Sequence, residues 1–173
     1  MKFQLEAPEH QIIAIRSVVG IFDGMEKNSS NNAQKGDIYA NVCSLYPQQI
    51  WDNIHKIAEE NGIADADFHF KETNNACIEM ETGTGKTLTY LQTAYALYKE
   101  YGLTKFVVIV PSIPIRQGVI DTFENFKDQL ADKYGFTPNT FVYDSSRLSK
   151  LRDFITQDYP QIMILTMASR TTF

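Results

Sequence analysis

The sequence is poor in cysteine. It has two, Cys43 and Cys77, far apart in the chain. That is too few for a disulfide framework and gives no zinc spacing, so two free thiols in a reducing compartment are expected. Long apolar runs are missing as well, and no stretch approaches the roughly 20 residues a transmembrane helix needs. The opening MKFQLEAPEHQ lacks the basic-then-apolar form of a signal peptide. A soluble, cytoplasmic protein is the expectation. Positive charge is scarce too: Lys+Arg total 16 against 21 Asp+Glu, a net charge of −5. This is not the footprint of a protein that coats nucleic acid non-specifically. Nucleic acid is still allowed as a partner, because backbone N–H groups and helix N-termini can grip phosphates. His10, His55 and His69 show no metal-ligand spacing and are expected as surface or helix histidines. There is no internal repeat.

What remains is globular. With 173 residues, 43% hydrophobic and 12% aromatic, the chain suits one domain with a sizeable core. In EHQIIAIRSVVGIFDG, residues Ile12, Ile15, Val19 and Phe22 recur at helical spacing, and Gly24 can stop the helix. Residues 25–37 are polar, rich in Asn and Ser, and read as a mobile loop. YPQQIWDNIHKIAEENG predicts a second helix, with Pro47 in its first turn, Ile50, Ile54 and Ile57 on one face, and Gly62 as its stop. Trp51 belongs with that apolar face. The stretch 63–75 reads as a connector.

From residue 76 the pattern becomes regular. ACIEM predicts a strand. A helix follows from Lys86 to about Tyr101, with Leu91, Ala94, Tyr95 and Tyr98 inward and Gly102 at its end. KFVVIV predicts a strand buried on both faces. Ile115, Val119, Phe123, Phe126 and Leu130 mark the next helix. NTFVYD is a third strand. SRLSKLRDFITQ is a helix with Leu148, Leu151, Phe154 and Ile155 as its apolar side, and QIMILTM is a fourth strand. Lys99, Glu100 and Lys105 read as a solvated face. The alternation implies an α/β fold, with a mostly parallel sheet, right-handed crossovers and helices on both faces.

Within that frame one stretch carries chemistry. In CIEMETGTGKTLTYL, the eight residues Met80 to Thr87 match G-x-x-x-x-G-K-[ST] except for Met80 in place of the first glycine. Gly83 and Gly85 allow positive φ and close approach of N–H groups to phosphate oxygens. Lys86 would place its ammonium between the β and γ phosphates, and Thr87 would offer a hydroxyl to Mg²⁺. The helix beginning at Lys86 turns its positive dipole end to the same anion. Thr82, Gly83, Thr84, Gly85, Lys86 and Thr87 therefore form a candidate phosphate cradle for ATP with Mg²⁺, and Lys86 and Thr87 are the candidate catalytic pair.

The run IEMETGTGKTLTYLQTAYALYKEYGLTKFVVIVPSIPIRQGV resembles the restriction (Res) subunit of type III restriction–modification systems, which are superfamily 2 helicase-like ATPases with RecA-like domains. The resemblance is strong over residues 76–123, fair to 167 and at 9–24, and weak between 25 and 70. That family commonly carries a non-glycine residue at the Met80 position. It implies a P-loop NTPase of RecA-like type, with an N-terminal helical segment over 1–75 and a partial RecA-like core over 76–173, cut after its fourth core strand. It also implies three further sites. Gln11, just ahead of its helix, is similar to the Q-motif glutamine that reads adenine; an amide pairs one donor and one acceptor with N6 and N7. Gln4 is set aside because the Ile12/Ile15/Val19 helix follows Gln11 directly. VPSIPIRQGV is similar to motif Ia, with Ser112 and Arg116 facing nucleic-acid phosphate. ILTMASR sits where motif Ib would be, with Thr166 as a phosphate contact.

Asp144 ends an apolar strand as a Walker B aspartate does, but Ser145 follows where such ATPases carry glutamate. Asp144 is expected instead to cap the helix starting near Arg147. The Asp-Glu pair, an arginine finger from a second RecA-like domain and a nuclease domain are not visible, and phosphoryl transfer needs more than a cradle. The implied parent is an ATP-dependent DNA helicase or translocase. Its implied partners are double-stranded DNA, a modification methyltransferase subunit, and the second RecA-like and nuclease domains. The isolated chain is expected to bind nucleotide weakly, hydrolyse little, and leave a sheet edge and some apolar surface uncovered. On sequence alone, another superfamily 2 motor, such as a type I restriction motor or a repair helicase, and a non-catalytic remnant stay open.

Overall fold

A computed structural model of the protein describes residues 8–27, 32–63 and 75–168. The N-terminal part contributes helix α1 (Glu9–Gly20), a hairpin of β1 (Asn32–Lys35) and β2 (Ile38–Asn41), and helix α2 (Pro47–Glu60). The second part runs α3 (Lys86–Tyr101), β3 (Lys105–Val110), α4 (Ile113–Tyr134), β4 (Asn139–Val142), α5 (Leu148–Thr156) and β5 (Gln161–Thr166). Strands β3, β5 and β4 form a parallel sheet in that order. Lys105 is in register with Gln161 and Val110 with Thr166. Asn139 also pairs with Gln161, so β5 is bonded on both sides. All six residues of β5 are buried, as expected of a central parallel strand.

Helices α3 and α4 cover one face. Leu91, Ala94 and Tyr95 of α3 and Val119, Phe123 and Leu130 of α4 pack against Val110, Ile162 and Ile164. Helix α5 covers the other face, where Phe154 packs with Phe141, Met163 and Leu165. The fold is thus the predicted α/β arrangement with helices on both faces. A third cluster joins the two parts of the chain: Met25, Leu97, Tyr101 and Leu103 are buried with Val18, Phe22 and Leu45 around them. Glycines in the left-handed region end α3 and α4, at Gly102 (φ 76°) and Gly135 (φ 88°). Each donates its N–H back to a carbonyl four residues earlier, satisfying acceptors that a helix end would otherwise leave open. No helix among the described residues is long and apolar enough to cross a membrane.

Several expectations need correction. Residues 76–80 are not a strand. A strand exists through its ladder, these residues pair with none of the described residues, and Ile78 stays 40% exposed. The described parallel sheet therefore has three strands, not four. Strand β3 is buried on one face only: Val107 and Ile109 are each 48% exposed, because α5 lies over β4 and β5. The polar stretch 25–37 contains β1, which pairs with β2 across Gly36 and Asp37. Gly36 has φ 63° at the first central position, as a type II′ hairpin turn requires. Ile12, Ile115 and Leu148 are exposed rather than inward; α1 buries Gln11, Ala14 and Ile15, so Ile12 lies beside that stripe, while Ile115 and Leu148 lie in the first turns of α4 and α5, ahead of the buried residues of those helices. Lys105 is not a solvated residue. Its Nζ donates to the carbonyls of Gln157 and Tyr159 at the end of α5 and lies 5.5 Å from the Phe154 ring centroid. Burial pushes its pKa down.

Candidate functional site

The predicted cradle begins where α3 begins. Gly83 and Gly85 both adopt left-handed backbone, φ 83° and 86°. Gly85 is the residue before the helix and has no side chain to cap it. The first N–H groups of α3 therefore point out of the helix start without a capping oxygen from that position. A side chain at Gly83 would meet nothing within 4 Å, so the space over the loop is open. Thr84 closes the loop from within: its hydroxyl donates to the Glu81 carbonyl at 2.6 Å. Lys86 folds back along the loop and donates from Nζ to the Met80 carbonyl at 2.7 Å. Met80, standing where the pattern has glycine, thus contributes through its backbone, which any residue type supplies. Thr87 is half-buried. The Tyr90 phenol is pushed up in pKa by burial and pulled the other way by a hydrogen bond with the Thr87 side chain.

Gln11 reaches the same loop from 73 residues away. It lies in the first turn of α1, is only 6% exposed, and donates from Nε2 to the Thr84 carbonyl at 2.9 Å. A Cβ added to Gly85 would sit 2.4 Å from that Nε2, so glycine is what lets the amide lie on the loop. The other half of the amide, Oε1, is buried and has no hydrogen-bond partner among the described residues. An unpaired buried acceptor is costly to leave unmade. His10, expected as a surface or helix histidine, is exposed in α1 and also contacts the Thr84 carbonyl, from Nε2 at 3.1 Å. Its position directly before Gln11 was the one available signal. A mostly apolar cleft of about 1100 Å³ opens beside His10 and Thr84, between α1, α2 and residues 75–81.

The other predicted residues fall elsewhere. Only Gly102, Leu103 and Thr104 join α3 to β3, so the chain reverses there and the start of α3 lies towards the carboxyl end of the sheet. Ser112, the residue before α4, is at that same end; it makes no side-chain cap bond. Its carbonyl accepts the Arg116 N–H at 3.0 Å. Both side chains are partly exposed. Thr166 ends β5 beside Val110 but is 5% exposed, which leaves its hydroxyl no open approach to a phosphate in this state. Asp144 does not cap α5, whose N-cap is Arg147. Its Oδ1 instead accepts from the Ser146 N–H (2.9 Å) and hydroxyl (2.6 Å), a local Asx turn. Those two bonds are the main reason its carboxyl lies below the usual range.

The family model described as "Type III restriction enzyme, res subunit" matches residues 4–169. The chain belongs to that family. This Res-family chain is 31% identical over 141 residues to the type III restriction-modification enzyme EcoP15I Res subunit of Escherichia coli, covering 80% of the chain and 14% of that protein. It is 30% identical over 141 residues to the EcoPI Res subunit of Escherichia phage P1, with the same shares. Over 49 residues it is 45% identical to the StyLTI Res subunit of Salmonella typhimurium. The chain spans about a seventh of the length of the first two relatives.

Proposed function

We propose that this chain is the ATP–Mg²⁺-binding first motor domain of the restriction subunit of a type III restriction–modification system, an ATP-dependent DNA helicase or translocase. The observation that carries the reading is the meeting of two distant segments. A phosphate-loop sequence sits on the start of α3, and a buried glutamine amide from α1 lies against its Gly85 with an acceptor to spare. A structural glycine turn needs no such amide.

In this reading Thr82 to Thr87 hold the phosphates through backbone N–H groups. Lys86 leaves the Met80 carbonyl for the β and γ phosphates, and the Thr87 hydroxyl takes Mg²⁺. Gln11 reads the adenine edge through Oε1 and Nε2. Bound ATP–Mg²⁺ supplies the phosphoryl group whose hydrolysis drives movement. Ser112, Arg116 and the start of α4 face the backbone of double-stranded DNA, on the same end of the sheet as the cradle. The 1–75 segment serves as the adenine-reading and supporting part, and 76–173 as the partial RecA-like core. Family membership supports a modification methyltransferase subunit as a partner, with a second RecA-like domain and a nuclease domain completing the machine. The cytoplasm is the setting such a system needs.

Calorimetry with ATP and ADP in the presence of Mg²⁺, on the wild-type chain and Lys86→Ala, tests the cradle. The wild type is expected to bind weakly and Lys86→Ala to lose the heat of binding. Equal binding by both would remove Lys86 from the site and with it the phosphate-loop reading. Steady-state hydrolysis by the pure chain is expected to be negligible, because a cradle alone lacks the groups that orient water.

A further inference from the structure

We infer that His10 is a positioning residue for the nucleotide loop, sharing one carbonyl with Gln11 so that Gln11 can be released to read a base. The inference rests on the nucleotide reading above.

The argument begins with valence. A backbone carbonyl has two lone pairs and no proton. The Thr84 carbonyl is approached by two side chains from consecutive residues, His10 Nε2 at 3.1 Å and Gln11 Nε2 at 2.9 Å. Both must therefore donate, and the imidazole carries its proton on Nε2. Among the described residues Thr84 is otherwise tied only within its own loop, its hydroxyl donating to the Glu81 carbonyl at 2.6 Å and its N–H to that Glu81 carbonyl at 3.4 Å. The two α1 donors thus link the loop to the body of the domain at this point.

The two donors differ in what they can afterwards do. Gln11 has a second function available, since its Oε1 is buried without a partner. Reading adenine takes one donor and one acceptor at once, and the amide's donor is the group now spent on Thr84. If Gln11 alone held that carbonyl, turning to a base would free the loop as the nucleotide arrives. His10 is exposed in the first turn of α1, with its Nε2–H already on the same oxygen. It keeps the carbonyl paired while Gln11 reorients.

The two roles separate experimentally. His10→Phe keeps a ring but no donor, and His10→Gln restores a donor at the same reach. Amide hydrogen exchange over residues 81–87 is measured on the ligand-free chain, and Mg²⁺-ATP and Mg²⁺-GTP affinities by calorimetry. Losing one such bond corresponds to a change of about three- to tenfold. His10→Phe is expected to speed loop exchange by that factor and to weaken ATP and GTP in parallel. His10→Gln is expected to restore both. Gln11→Ala is expected to lower the ATP-over-GTP ratio, which His10→Phe leaves alone. Unchanged exchange in His10→Phe overturns the inference, and so does a change in the ATP-over-GTP ratio alone. If the wild type binds neither nucleotide, the nucleotide reading fails separately, and loop exchange in His10→Phe still decides whether His10 positions the loop.

Discussion

At the scale of single residues, the two loop glycines make different demands. Gly83 and Gly85 share nearly the same φ, 83° and 86°, so alanine at either costs about 1–2 kcal/mol of backbone strain. Only at Gly85 would the new Cβ also meet a neighbour, Gln11 Nε2 at 2.4 Å. That neighbour is the end of a flexible side chain, so it moves rather than blocks folding. Denaturant melts should therefore show similar losses for Gly83→Ala and Gly85→Ala. Calorimetry should separate them, with Gly85→Ala losing ATP-over-GTP preference because Gln11 is displaced. Equal selectivity in the two variants would mean that Gln11 does not need its seat against Gly85 to read the base. The need for glycine at Gly85 was legible, because the motif spacing demands it there; Gly83 stands at a position the motif leaves free and was read as a glycine that allows positive φ. The need for His10 was not, since a histidine's worth here depends on a carbonyl 74 residues away.

At the scale of elements, legibility followed burial. Helix α3 was readable from Lys86 to Tyr101 because its inward residues end at a glycine that can take left-handed backbone. The apolar faces of α4 and α5 were misread only in their first turns, where Ile115 and Leu148 outrun the core. The β1–β2 hairpin was missed because β1 (NAQK) is polar and both strands are only four residues long. Strand β3 was misread because five apolar residues in a row, Phe106 to Val110, look buried on both faces, while the packing covers only one. This last difference is measurable. Leu91 is fully buried in the α3–α4 cluster, and Leu91→Ala should cost about 2–5 kcal/mol in a denaturant melt. Ile109, on the same domain but 48% exposed, should tolerate Ile109→Lys within about 0.5 kcal/mol and make the chain less prone to self-association, seen by light scattering. A large destabilisation from Ile109→Lys would show that the open face of β3 is covered in solution.

At the scale of the whole molecule, the N-terminal part and the sheet domain are tied by a titratable residue. Tyr101 ends α3 and is buried among Met25, Leu97 and Leu103. Its hydroxyl bonds back to α1 and the turn after it, donating to the Val19 carbonyl at 3.1 Å and lying 3.3 Å from Asp23 Oδ1. Burial first, then the Asp23 carboxylate, push its pKa from 10.0 up to about 12. The folded state therefore holds this proton more tightly than the unfolded chain does. The stability it contributes is complete below pH about 10 and is lost as pH rises towards about 12. Burial also raises the phenols of Tyr90, Tyr95 and Tyr134, so the alkaline fall has several contributors and Tyr101 is the one between the two parts. Denaturant midpoints followed from neutral pH to about 12, with tyrosinate absorbance as the second probe, should fall above pH 10 in the wild type. Tyr101→Phe should cost about 0.5–1.5 kcal/mol at neutral pH through the lost hydrogen bond and then fall less steeply. An unchanged alkaline slope in Tyr101→Phe would place the linkage on the other tyrosines and show that the Tyr101 proton is not what ties the two parts together at high pH.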